Sequence, residues 1–384
     1  MKKTITSENK PIKLWLEDID EAALQQARNL ANLSVTYKWV AIMPDCHKGF
    51  GMPIGGVLAT EGVIIPNAVG VDIGCGMCAV KTSLTSINKK DLSTIVKHLY
   101  HRIPKGRKHH KHRQNGEGFD NAPDIDIIQQ ELDKARYQLG TLGGGNHFVE
   151  IQKGSDGHIW LMLHSGSRNF GLKIANAFHQ KAVKYCDDKN VELPDKSLAW
   201  LPMESSAGQA YHEAMNFALT FAKANRFAMM EKVKQVMKET IDDIQFGEII
   251  NIHHNYAAVE KHYGKEVVVH RKGATSAKAG QDGIIPGSQG AASYIVKGKG
   301  NPESFMSCSH GAGRKLGRKQ AVRTLNLAKE TKLLDDAGII HSIRTKKNLD
   351  EAAGAYKDID VVMKNQEDLV DIVTQLLPLA VIKG

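Results

Sequence analysis

Apolar residues recur at three- and four-residue spacing over residues 19–33, 91–100, 169–185, 317–334 and 367–377, and each segment is expected to form an amphipathic helix. The same spacing runs through residues 209–241, about nine turns. That exceeds a usual globular helix, so the segment reads as two helices or as an arm projecting from the body. It carries Lys223, Arg226, Lys232, Lys234 and Lys238, read as a solvated basic face with RNA contact as the alternative. Short runs rich in β-branched residues at 39–43, 62–65, 158–163, 248–252, 266–270 and 339–344 are expected strands. Strands and helices interleave irregularly, which favours an α+β fold over a doubly wound α/β one. No internal repeat is visible, and residues 1–384 are read as one large domain.

Composition narrows the class. With 51 Lys+Arg against 42 Asp+Glu, the formal charge of +9 suits a polyanionic partner such as nucleic acid. The five cysteines (Cys46, Cys75, Cys78, Cys186, Cys308) are too sparse for a disulfide scaffold and point to a reducing compartment. The first ten residues lack the apolar core of a signal peptide, and no run of about 18 apolar residues occurs. A soluble, cytoplasmic protein is expected. Residues 105–113, Lys-Gly-Arg-Lys-His-His-Lys-His-Arg, followed by Gln114-Asn115-Gly116-Glu117-Gly118, read as a mobile basic loop. Such a loop is either solvated surface or a clamp on RNA phosphates, with adventitious metal binding as a weaker option.

The chemistry concentrates in glycine-rich segments. In Val69-Gly70-Val71-Asp72-Ile73-Gly74-Cys75-Gly76-Met77, glycines at 70, 74 and 76 let the turn present Asp72 and Cys75 on one side, as metal ligands. Cys75 and Cys78 also form a CxxC, but a second one is missing, so Cys78 reads as a buried small residue. Gly143-Gly144-Gly145-Asn146-His147-Phe148-Val149-Glu150 suits a backbone passing close to a phosphate, although a tight turn alone also accounts for its glycines. His164-Ser165-Gly166-Ser167-Arg168 joins an imidazole to hydroxyls and a phosphate-binding guanidinium. Of the adjacent His253 and His254, on opposite faces of a strand, only one can enter a site. Imidazole, carboxylate and thiolate together suit Zn²⁺, Mn²⁺, Fe²⁺ or Co²⁺, and ligand type does not choose among them. His310, in Ser307-Cys308-Ser309-His310-Gly311-Ala312-Gly313-Arg314, reads as an exposed nucleophile toward phosphorus, a base or a further ligand. Neither 271–275 nor 286–294 has Walker A spacing, which excludes a P-loop NTPase.

These motifs, with Pro44-Asp45-Cys46-His47-Lys48-Gly49, His254-Asn255 and the final Ile382-Lys383-Gly384, closely resemble the RtcB family of RNA-splicing ligases, in order from about residue 38 onward. The resemblance implies the RtcB-type fold, with mixed sheets around a central dinuclear metal cleft. It implies a ligase joining RNA 3′-phosphate or 2′,3′-cyclic phosphate ends to 5′-hydroxyl ends, with GTP and two Mn²⁺ ions, in tRNA splicing or RNA repair. By the same matching, His310 would carry the GMP adduct. Asp72, Cys75, His147, His164 and His254 would hold the metals, with Cys75 bridging. Asn146 and Arg168 would position phosphate, and Glu150 would read guanine. Ser288, Ser293, Ala312, Gly313, Tyr356 and Lys383 would complete the nucleotide contacts. Separately from that matching, a monomer is expected. Ser276 stands where family members often have Arg, Cys46 where an aliphatic residue is common, and the basic loop at 105–113 is no family signature. These departures bear on RNA choice and rate. Two other readings are a GMP-capping enzyme that seals poorly and a non-catalytic, metal-containing RNA-binding protein.

Overall fold

The computed structural model describes residues 1–116, 119 and 121–384. Glu117 and Gly118, at the end of the basic segment, lie outside the described residues. The frame is α+β. Six strands form one sheet in the order Lys3–Ile5, Ile12–Leu14, Thr36–Phe50, Met52–Thr60, Lys265–Lys272 and Asn255–His262. Seven form a second, in the order Phe246–His253, Gly76–Thr82, Ile159–Ser165, Phe148–Gly154, Val370–Lys383, Ser293–Gly298 and Asp282–Ile285. A buried cluster containing Val57 and Val269 of the first sheet and Tyr294 and Val296 of the second packs the two together. Strand Phe246–His253 edges one sheet and Asn255–His262 the other, so His254 alone separates them.

Helices Glu21–Ala31, Lys89–Arg102 and Arg168–Asp188 match the 3.6-residue periodicity in three of the expected places. Five of the expected strands also form, several of them longer than the sequence suggests. Five expectations are overturned. Residues 209–241 are one continuous helix, Ser206–Thr240, rather than two helices or a projecting arm. Its first half supplies Tyr211, Met215 and Phe221 to one core and its second half Met229, Val233 and Met237 to another, so it runs through the body. Its expected basic face is also incomplete, because Arg226 is fully buried.

Residues 317–334 form two helices, Arg318–Thr324 and Leu327–Asp336. Asn326 breaks them, its side chain accepting from the Lys329 N–H at 3.1 Å as an N-cap. Residues 367–377, read as a helix, belong instead to strand Val370–Lys383 inside the seven-stranded sheet. Paired apolar residues every three to four positions imitate a helix there, but burial alternates along much of the strand, and Pro378 falls where the register shifts. Residues 339–344 form no strand beyond a single bridge between Ile340 and Ala380.

Candidate functional site

Four adjacent strands of the seven-stranded sheet, Phe246–His253, Gly76–Thr82, Ile159–Ser165 and Phe148–Gly154, are antiparallel, and their ends at one edge carry the reactive residues. Gly76 pairs with His253 and Ser165, and His164 pairs with Met77 and Phe148. That register brings His254, Cys75, His164 and His147, which lie at or just beyond the strand ends, side by side. The turn before Cys75 is closed by Cys75 N–H donating to Asp72 O at 3.0 Å, and Gly74 takes a φ of 74° that favours glycine. Asp72 and Cys75 therefore face the same side.

The donors converge in a line. Asp72 Oδ2 lies 3.3 Å from His147 Nε2, and Cys75 Sγ lies 3.3 Å from His147 Nε2 and 3.2 Å from His164 Nε2. His164 Nε2 is in turn 3.3 Å from His254 Nε2. Burial, reinforced by neighbouring positive groups, pushes His164 and His254 well below the ordinary imidazole range, into the neutral form that ligates metals. Burial opposes charge on Asp72, but the His147 contact overcomes it and holds the carboxyl below its usual value. Burial and the Asp72 charge push the Cys75 thiol up. One carboxylate, one thiol and three imidazoles at such separations fit divalent cations.

His310 continues this row, with its ring centroid 4.7 Å from that of His254. Its side chain is only 14% exposed, more enclosed than the sequence suggests. The fully buried Asp45 holds it, with Oδ2 2.5 Å from His310 Nδ1 and also accepting from the His310 backbone N–H. With Nδ1 so engaged, Nε2 is the nitrogen left for chemistry. Gly273, at φ 59°, passes so close that an added Cβ would lie 3.1 Å from His310 Cε1.

Beside His310 opens a cavity of about 780 Å³, bordered by Asn146, Glu150, Ser288, Ala312, Gly313, Tyr356 and Lys383, with His164 at its metal-facing end. Glu150 is wholly enclosed. Burial pushes its carboxyl up to about 8, with Lys383 and a 2.6 Å bond from Gln152 Nε2 pulling the other way. Two expected contacts stand back from the cavity. Ser293 Oγ accepts from Gln152 Nε2 at 3.1 Å and so supports Glu150 from behind. Arg168 donates to Gly106 O at 2.6 Å and to Thr141 Oγ1 at 3.0 Å. Lys383 is 3.8 Å from Glu351, and Gly384 N–H donates to His147 O at 3.1 Å.

Sequence reasoning missed three residues. Asp45 lies in the Pro44–Gly49 motif, where spacing alone gives it no role. Glu351 gathers Arg314 at 3.1 Å, Arg318 at 3.0 Å, the Tyr356 hydroxyl and Lys383 at the cavity wall, where these donors keep it ionised despite burial. Arg226 donates to Gly74 O at 2.7 Å, Ser165 O at 3.0 Å and Asn251 Oδ1 at 2.7 Å, and its Nη2 is 3.1 Å from His253 Nδ1. It thereby ties together the Asp72–Cys75 turn, the end of the His164 strand and the His253–His254 pair. Its apolar flanks, Ala222, Met229 and Met230, are the signal that it faces inward.

This sheet-edge cluster beside a nucleotide-sized cavity belongs to an RNA ligase class: the chain is a member of the RtcB family, whose model, described as tRNA-splicing ligase RtcB, matches residues 26–122 and 112–384. It is 40% identical to RNA-splicing ligase RtcB1 and 39% identical to RNA-splicing ligase RtcB, from two strains of Escherichia coli, in each case over 99% of both chains. It is 32% identical to the tRNA-splicing ligase RtcB of Thermococcus kodakarensis, over 95% of this chain and 91% of that one. No described helix is long and apolar enough to cross a membrane.

Proposed function

We propose that this chain joins RNA 3′-phosphate ends, or 2′,3′-cyclic phosphate ends after hydrolysis, to 5′-hydroxyl ends at the expense of GTP, in tRNA splicing or RNA repair. The observation that carries this reading is the Asp45–His310 pair, which leaves His310 Nε2 as the free ring nitrogen between the donor cluster and the cavity. His310 Nε2 attacks the α-phosphorus of GTP; an N–P bond forms, the bond to the bridging oxygen breaks and pyrophosphate leaves. An oxygen of the RNA 3′-phosphate then attacks the same phosphorus, which frees His310 and leaves GMP on the RNA. Finally the 5′-hydroxyl attacks the RNA phosphate, loses its proton and displaces GMP as the phosphodiester closes.

Asp72, Cys75, His147, His164 and His254 would hold two Mn²⁺ ions, which would neutralise charge on the reacting phosphate oxygens. Glu150, once ionised, accepts from guanine N1–H and the 2-amino group. Ser288, Ala312, Gly313, Tyr356 and Lys383 surround the nucleotide, and Asn146 meets its phosphates. Arg168, engaged with Gly106 and Thr141, is assigned to hold the 143–145 turn from behind. The chain is read as a single catalytic domain over residues 1–384, working as a cytoplasmic monomer. Its five free, buried cysteines support that compartment.

The test is incubation with GTP radiolabelled at the α-phosphate and Mn²⁺, then denaturing electrophoresis of the unmodified chain and His310→Ala. An acid-labile, base-stable label absent from the variant is the expected result, and a labelled variant removes His310 from the role. GMP-capped RNA that persists beside a 5′-hydroxyl partner would make the chain a capping enzyme. No label with any divalent ion would leave an RNA-binding protein.

A further inference from the structure

The basic segment 105–113 is absent from the proposed reaction. Backbone hydrogen bonds tie it to the body. Leu142 N–H donates to Pro104 O at 2.9 Å, His110 N–H to Tyr137 O at 2.9 Å and Gln114 N–H to Arg136 O at 3.0 Å, fixing both ends of the segment. Arg168 pins it near its start through Gly106 O, and the other side of the same guanidinium lies under Gly143, where an added Cβ would meet Nη1 at 2.7 Å. Across the glycine turn, a Cβ on Gly144 would lie 3.7 Å from Gly106 Cα. On the far side, one on Gly145 would meet Arg318, which borders the nucleotide cavity. The three glycines thus form a low saddle between cavity and basic segment.

The cations on this segment differ in how they are satisfied. Arg113 pairs with Asp133 at 2.7 Å, and Lys105 lies over the Tyr100 ring. Arg107, Lys108 and Lys111 are exposed, and none has a carboxylate partner among the described residues. Arg107 and Lys108 are adjacent and Lys111 follows three positions on, so three like charges recur within five residues, and their repulsion is relieved by a polyanion whose own charges are closely spaced.

We propose that Arg107, Lys108 and Lys111 are a docking strip for the phosphodiester backbone of the RNA strand that leaves the joining site across the 143–145 saddle. Backbone contact of this kind is indifferent to sequence and adds affinity with each nucleotide that reaches the strip. The inference rests on the ligase reading. It gives this chain a preference for ends with several unpaired nucleotides over very short ones.

The test uses the full chain with Arg107→Gln, Lys108→Gln and Lys111→Gln combined. GMP labelling of His310 should be unchanged, which reports an intact fold and nucleotide site. Joining of dinucleotide ends should also be unchanged, whereas KM for single-stranded ends about ten nucleotides long should rise about tenfold or more. Binding of the longer RNA, followed by fluorescence anisotropy across a salt series, should show a slope shallower by about 2, since each phosphate contact to a single strand contributes about 0.7. An unchanged slope and KM would overturn the strip. If the unmodified chain neither labels nor joins, the ligase reading fails instead, and the salt series alone still decides whether these residues hold RNA.

Discussion

Glu150 shows how one enclosed side chain sets a pH dependence. Burial raises its carboxyl from 4.5 to about 8, so at neutral pH the protonated form dominates, while the guanine recognition proposed for it would call for the ionised one. On that reading nucleotide binding expels a proton. GTP affinity should climb with pH below about 8, approaching tenfold per unit, and Glu150→Gln should bind GTP weakly with a flat profile; calorimetry between about pH 6 and 8 measures both. The folded chain keeps a proton that the unfolded chain has lost between 4.5 and about 8, so this group's contribution to stability falls as pH rises through that window. Urea midpoints of the two proteins should diverge across it, and parallel curves would show that Glu150 is ionised already. At this scale the sequence was informative about donors and poor about supports. His147 and His164 are betrayed by neighbouring glycines and His254 by the adjacent His253, whereas Asp45 acts through a hydrogen bond formed across 265 positions, which no local spacing reveals.

Among the elements, helix Ser206–Thr240 braces the site through one buried side chain. Arg226 reaches from it to three separate segments, and burial lowers its guanidinium only to about 10, so it remains charged at neutral pH. Arg226→Met should leave Gly74 O, Ser165 O and Asn251 without their donor and cost about 3–5 kcal/mol of stability by urea unfolding. Cation affinity should weaken with it, because the Asp72–Cys75 turn loses its anchor. A loss under about 1 kcal/mol would mean that water replaces the guanidinium. Helix spacing identified this element but not its path, since a row of basic residues reads as a solvated face until the partner strands are known. Strand Val370–Lys383 misled in the opposite direction: its doublets Ile372-Val373 and Leu376-Leu377 fit a helix by spacing, and only pairing on both sides with Phe148–Gly154 and Ser293–Gly298 decides the matter.

For the whole molecule, the site lies where two sheets meet, with His254 as the link between them. Cation binding there should stabilise the entire fold, because the ligands come from four strand ends and the cation binds the folded state alone. Mn²⁺ at about a hundred times its Kd should add about 2.7 kcal/mol, seen as a rise in Tm, and Cys75→Ala should lose most of that rise. An equal rise in the variant would remove Cys75 from the ligand set. The overall charge of +9 suits a polyanion, but composition does not say where it would lie; the proposed strip of three cations, without carboxylate partners among the described residues, would give it a place.

That dispersal has a further consequence. Residues 72, 75, 147, 164 and 254 meet only when strands far apart in the chain have found their register, and a shift of one residue at His253–His254 would exchange the ring that points inward. A chain collapsed around well-filled cores but misaligned at one strand would have no cation and no reactivity toward RNA ends. Activity in this molecule would thus be a certificate of correct assembly, issued at the spot where four separate strands must end in register.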